Sequence, residues 1–276
     1  MKAKKWMAVV DIVAVVVSSA IFIVPFLIVI LNAGKTQQEA AALQLSLPKT
    51  WHFIKNLEAV FSYQNRAVLR AFLNSMILTF LSVIGIVIVS SMTGFILQRR
   101  RNRFTGSLNY LVLGGLIVPP AIVPTIWLLK LLNLFKTIPG LALVEVALNF
   151  SFSTIMYTSF LSTVPREIDE AGIIDGCGPY RLFFQIIFPL MKPITATVII
   201  LAAVNVYNDF MNPLYFLPGA KNLTVQLTLY FFQGQFESSW NLLFADILII
   251  SLPSLIFYMI FRQRIISGTT AGAIKG

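Results

Sequence analysis

Residues 165–193 read PREIDEAGIIDGCGPYRLFFQIIFPLMKP, and this stretch decides how the chain is organised. Four of the chain's eleven acids, Glu167, Asp169, Glu170 and Asp175, fall within nine residues of it, between two long apolar runs. A bilayer core does not accept such a segment, so it must face water at a membrane surface. Pro165 suits the first turn of a helix, where a missing N–H costs nothing. The acids that follow sit where the helix dipole favours negative charge. Asp175-Gly176 and Gly178 end that helix, and Pro179 can open a second over 180–188. This second helix is apolar on most sides and needs cover from protein or headgroups. Ordinary connections run about 2–8 residues. A capped, charged passage of this length is a shaped knob offered to a partner rather than a simple link.

The remaining composition belongs in lipid. Of 276 residues 57% are apolar, and mean hydropathy is +0.82. Only 12% are charged, against about a quarter in soluble domains. The net charge of +10 comes from basic residues at the ends of apolar runs, which membrane orientation and anionic headgroups favour; no nucleic-acid partner is implied. One Cys and one His exclude a disulfide framework and a His/Cys metal cluster.

Spans of about 20 apolar residues fall at 8–31, 71–97, 108–132, 140–162, 194–217 and 242–261. The fold class is therefore all-α: a polytopic membrane protein of six helices, read as one transmembrane domain over 1–276. The first run is too long for a signal-peptide core and reads as an uncleaved anchor. Pro119, Pro120 and Pro124 predict a kinked or unwound third span. The block QRRRNR at 98–103 is the strongest vote for orientation. It places the 165–193 knob, both termini and the 262–276 tail in the cytoplasm. Outside, Phe53, Ile54, Leu57, Val60 and Phe61 share a helical face over 50–61, which either rests on the outer leaflet or packs on the bundle.

Here a resemblance enters. Glu170-Ala171-Gly172, Gly176 and then Ile186-x-Phe188-Pro189 resemble the EAA signature of permease subunits in binding-protein-dependent ABC importers. The spacing from Gly176 to Pro189 matches throughout. Gly172 for the second Ala, Cys177 for a frequent Ala and Phe188 for Leu are mild departures. Asn208-Asp209-Phe210-x-x-Pro213-Leu214 and the glycine-rich end are similar to the MalG-like half of the carbohydrate-uptake permeases, so the likeness extends over roughly 70–276.

The resemblance implies a cytoplasmic coupling helix. Glu170, Ala171, Gly172, Asp175, Gly176 and Pro189 would engage an ATPase subunit, with Glu170 pairing to a basic residue there. Gly268, Gly272, Ala273 and Gly276 would reach toward the interface between two ATPases, unless the tail is simply a frayed terminus. The implied assembly is this chain in a bacterial cell membrane, a second MalF-like permease, two ATPase subunits and an extracytoplasmic sugar-binding protein. No cofactor is expected in this chain, since ATP and magnesium would sit on the partners. The chain would not be an enzyme.

The residues also suggest a path. Asn205, Asn208, Asp209 and Asn212 fall on one stripe of a continuous fifth helix. Glu145, Asn149 and Ser153 repeat every four residues on the fourth, and Asp246 lies one turn inside the sixth. Such groups face a bundle interior or an aqueous cavity and suit a polyhydroxylated solute, an oligosaccharide of the maltose, raffinose or multiple-sugar kind. Interhelical hydrogen bonding is the competing role. A glycerol phosphate cargo and a secondary transporter remain alternatives. Gly34-Lys35-Thr36 imitates the end of a Walker A loop, but Val29 stands where the motif needs its first glycine.

Overall fold

The structure, a computed structural model, describes residues 2–273 except 101, 220 and 235–237, with side chains described from 11 to 261. Every regular element among the described residues is helical. In chain order these are α1 (Lys2–Ala33), α2 (Gln37–Ala41), α3 (Phe53–Arg99), α4 (Arg103–Ile117), α5 (Ile122–Leu131), α6 (Ile138–Leu161) and α7 (Glu167–Ile174). Then come α8 (Pro179–Arg181), a π-helical stretch Leu182–Ile187, α9 (Phe188–Leu190), α10 (Lys192–Asn208) and α11 (Met211–Phe216). A 3₁₀ turn Val225–Thr228, α12 (Leu229–Phe232) and α13 (Trp240–Ala273) complete the order.

Four stretches are long and apolar enough to cross a membrane: Asp11–Ala33, Phe53–Arg99, Ile138–Leu161 and Trp240–Phe261. Two bent pairs, Arg103–Ile117 with Ile122–Leu131 and Pro179–Leu190 with Lys192–Asn208, raise the number to six if each is one span. The first pair is the proline-rich third span, broken by 118°. Val118 before Pro119 is extended (φ −74°, ψ 120°), as the proline ring demands of its predecessor. The start of α4 is fixed by a capping box, Asn102 accepting from the Thr105 N–H at 2.8 Å while its own N–H reaches Thr105 Oγ1.

The fifth span corrects the sequence reading. It is not one helix over 194–217: α10 stops at Asn208, and Asp209 is extended (φ −69°, ψ 126°). Pro213 explains the break, because its ring would collide with the Asp209 carbonyl one helical turn back and could not bond to it. Asp209 Oδ1 instead accepts from the backbone N–H of Met211 at 2.9 Å and of Asn212 at 3.3 Å, starting α11.

The described residues fall into two compact units. One takes residues 1–71 and 225–253. Its core is Ala33, Val60, Val68, Phe232, Leu243, Ala245 and Ile249. Asn56 ties it together, donating to the carbonyls of Ala33 (2.8 Å) and Lys35 (2.9 Å) and accepting from Asn241. Of the amphipathic stretch at 50–61, Val60 is buried and Leu57 packs on this core, while Ile54 remains 72% exposed. That stretch joins the second span within α3 through left-handed residues Gln64, Asn65 and Arg66. Lys35 is buried and spends its ammonium on Asn32 Oδ1 and the Gln44 carbonyl, a tether for the turn it starts. Helix α1 has no buried residue in its 11–27 stretch, although it is apolar all round; such a helix needs lipid or another chain to cover it.

The second unit takes residues 72–224 and 254–276. Helices α4 and α10 pack on α6, and small residues of α3 meet α6 closely. Ser82, Ser90 and Gly94 share one face of α3, spaced by multiples of four. Ser90 Oγ donates to the Phe150 carbonyl at 3.4 Å. A Cβ on Gly94 would lie 2.7 Å from Tyr157 Cβ and 3.2 Å from the Thr158 nitrogen, so the backbones touch there as small residues allow. The stretch read as a tail from 262 is helical as far as Ala273, continuous with α13.

Candidate functional site

Helix α7 realises the first half of the knob. Its inner face is held by one ion pair, Arg99 Nε to Asp169 Oδ2 at 2.6 Å, with the side chains 9% and 13% exposed. The same guanidinium donates to the Val164 carbonyl through both terminal nitrogens at 3.1 Å. Arg166 returns the favour by donating to the Gln98 carbonyl at 3.1 Å. The last turn of α3 is thereby clamped to the start of α7. Sequence reading used Arg99 only as an orientation vote and Asp169 only as a dipole charge; the signal missed was an arginine ending one span opposite acids that follow another.

The outer face of α7 stays open. Glu170 and Ala171 are exposed, as are Ile173 (60%) and Ile174 (85%), with Tyr180 at 74% beyond the turn. Two isoleucines left this exposed on so charged a helix mark a surface that a partner covers. Gly172 faces inward, where a Cβ would come within 2.9 Å of the Leu182 and Ile186 side-chain ends. The turn is a Schellman cap: Cys177 N–H bonds to the Gly172 carbonyl and Gly176 N–H to that of Ile173, both at 3.0 Å. Gly176 holds φ +80°, a left-handed value that a side chain resists. Asp175 occupies the C-cap position and is exposed.

The second half is not one regular α-helix. A single α-turn gives way to π geometry over Leu182–Ile187. Leu182, Phe183 and Ile187 are buried, and Phe183 stacks against Phe95 of α3 at 5.5 Å. Protein supplies the cover that this apolar segment needs on that side. Pro189 and Pro193 flank Met191, where the chain turns by 78° into α10.

The polar residues of α6, α10 and α11 form a connected chain. Asn212 Nδ2 donates to Asp209 Oδ2 at 2.6 Å and to Glu145 Oε1 at 3.3 Å, so one amide serves two carboxyls. Asn205 Nδ2 donates to Asn149 Oδ1 at 2.8 Å, and Asn149 donates to the Glu145 carbonyl. Glu145 is buried, Asn149, Asp209 and Asn212 are half-buried, and Asn205 is exposed. The break at Asp209 brings Asn212 to Glu145; a straight helix is not needed to gather these groups. Three predicted members are not part of the bonds just named. Ser153 is buried on α6 outside this chain of bonds, and exposed Asn208 accepts from Ser254 Oγ at 2.9 Å. Asp246 belongs to the other unit, fully buried, where it accepts from Thr228 Oγ1 at 2.8 Å. Gly268, Gly272 and Ala273 lie on α13, and Gly276 lies outside the described residues.

Comparison with known proteins bears on this arrangement. The family model described as "Binding-protein-dependent transport system inner membrane component" matches residues 90–268, which include the clamp, the knob and the polar chain. The chain belongs to this family. As a member it is a multi-pass permease component of a transport system that depends on a binding protein. It is 30% identical to a probable starch degradation products transport permease, AmyC, of Thermoanaerobacterium thermosulfurigenes, over 94% of each chain. It is 29% identical to a melibiose/raffinose/stachyose import permease, MelC, of Bacillus subtilis, over 99% of this chain and 98% of that one. Among solved structures, a bacterial ABC transporter that imports the acidic polysaccharide alginate shares the fold, with a TM-score of 0.81 at 16% identity over 95% of this chain and 98% of that one.

Proposed function

We propose that this permease is one of two membrane subunits of an ATP-driven importer for oligosaccharides, and that α7 is the point where an ATPase subunit grips it. The observation that carries this reading is the two-faced α7: its inner face is clamped to α3 by Arg99 and Asp169, while Glu170, Ile173 and Ile174 face out. Force applied to the outer face passes to α3 through the ion pair and to α10 through the π segment and the bend at Met191. A coupling element needs that rigidity behind and that exposure in front. Glu170 pairs with a basic group of the ATPase, and the isoleucines enter an apolar groove there. The knob and both termini lie in the cytoplasm. ATP and magnesium bind the partner subunits, and this chain performs no hydrolysis. The second permease completes the path, and an extracytoplasmic binding protein delivers the solute.

The chain from Asn205 through Glu145 to Asp209 offers alternating acceptors and donors at a helix break, chemistry that matches hydroxyl groups. Starch products and raffinose-type sugars, the substrates named for AmyC and MelC, are of this class. The test is uptake by cells carrying Glu170→Lys. Transport is expected to vanish while the permease remains in the membrane and loses its ATPase on purification. Wild-type uptake with normal ATPase association would overturn the coupling role.

A further inference from the structure

A cavity of about 720 Å³ lies between α7, the residues that follow it and the last two turns of α3, and the exposed residues Glu170 and Ile173 of α7 border it. Its volume is within the ordinary range for small-molecule sites, and α3 lines it with apolar residues first and with arginines where the helix ends. Arg99, Arg100 and Arg166 line it together with Asp169 and Glu170, and Ile173, Tyr180 and Phe183 line its knob side. Asp169 is already matched by Arg99, and Arg100 is exposed with no ion pair among the described residues. Further back along α3, Met92, Phe95 and Ile96 make an apolar wall. Because α3 is a membrane-crossing helix that ends at Arg99, those residues lie about 5–10 Å deeper in the bilayer than the arginines. Cationic groups at headgroup level with hydrocarbon directly beneath them match an amphiphile with a phosphate at its head.

The geometry points to an anionic-phospholipid site here: the phosphate sits on Arg100 and Arg166, and the upper part of an acyl chain lies along Ile96 and Met92. A soluble phosphate would leave the apolar wall wet, whereas a lipid covers it. The site needs only that α3 ends at a bilayer surface; that the leaflet is cytoplasmic rests on the orientation proposed above. A lipid here would wedge directly against the Arg99–Asp169 clamp, so the membrane's anionic lipid content would set how firmly α7 is held.

The experiment is native mass spectrometry of the full chain, purified in detergent with the subunits that accompany it, after adding phosphatidylglycerol or phosphatidylcholine. Phosphatidylglycerol adducts should survive preferentially, and Arg100→Gln should cut that preference several-fold, as the loss of one cation near anionic lipid predicts. Arg100→Lys should restore most of it, and Ile96→Trp, which fills the apolar end, should abolish it. Equal retention of both lipids by the wild-type chain would overturn the site, as would a preference unmoved by both Arg100→Gln and Ile96→Trp. Displacement of the lipid by soluble glycerol phosphate at equal concentration would also overturn it, assigning the arginines to a free anion. Lipid occupancy is read without transport, so failure of the coupling role would leave this result standing.

Discussion

Asp169 and Glu170 are neighbours with opposite tasks, and burial separates them. Asp169 is turned inward onto Arg99, while Glu170 is turned out into water. Removing one member of a nearly buried ion pair strands the other charge, a loss of about 3 kcal/mol. Asp169→Ala should therefore lower the melting temperature of the purified chain clearly, and Glu170→Ala should barely move it. Arg99→Ala combined with Asp169→Ala should cost less than the sum of the two single changes in a double-mutant cycle; strict additivity would show that the clamp carries no coupling energy. At the turn, Gly176→Val forces a β-branched residue to φ +80°, a strain of about 1–2 kcal/mol. Thermal unfolding should shift down accordingly, with Gly176→Asn, which tolerates left-handed backbone, closer to wild type.

The helices show where sequence patterns reach and where they stop. Hydropathy picked out long apolar runs, because a bilayer demands about 20 apolar residues wherever it is crossed; the structure builds four of them as membrane-length helices and two as bent pairs. The prolines at 119, 120 and 124 announced the 118° break between α4 and α5. Pro213 announced the end of α10 just as plainly, but the polar stripe through Asn205, Asn208, Asp209 and Asn212 drew the reading toward one continuous helix. The stripe's chemistry survived that error: Asn212 still reaches Glu145, by way of the break rather than along a helix face. Pairings between spans were not legible. Gly94 reads as any tolerated membrane glycine until the backbone of α6 is found against it, since periodicity names a face and not its partner. Gly94→Leu should drive α3 and α6 apart and destabilise the second unit by about 2 kcal/mol, seen as a lower melting temperature in detergent. An unchanged melting temperature would mean that the two backbones do not meet there.

As a molecule the permease is built to be incomplete. Helix α1 displays apolar side chains on all sides, the polar chain of α6, α10 and α11 opens through Asn205, and α7 offers two exposed isoleucines. On the function proposed above, each is a surface that another component finishes: lipid or a second permease, a solute, and a motor. If the polar chain lines the solute path, Asn149→Ala should change uptake of one sugar relative to another; equal loss for all sugars would make it interhelical glue. The EAA-like spacing made the knob readable in the sequence, whereas the Arg99 clamp behind it required the fold. The most direct measurement places a single thiol on the outer face of α7, as Ile174→Cys with Cys177→Ala, and labels it with a membrane-impermeant maleimide. Labelling should occur only in inside-out vesicles and should be blocked while the ATPase subunits are bound. Labelling in intact cells, or labelling indifferent to the ATPase, would contradict the account.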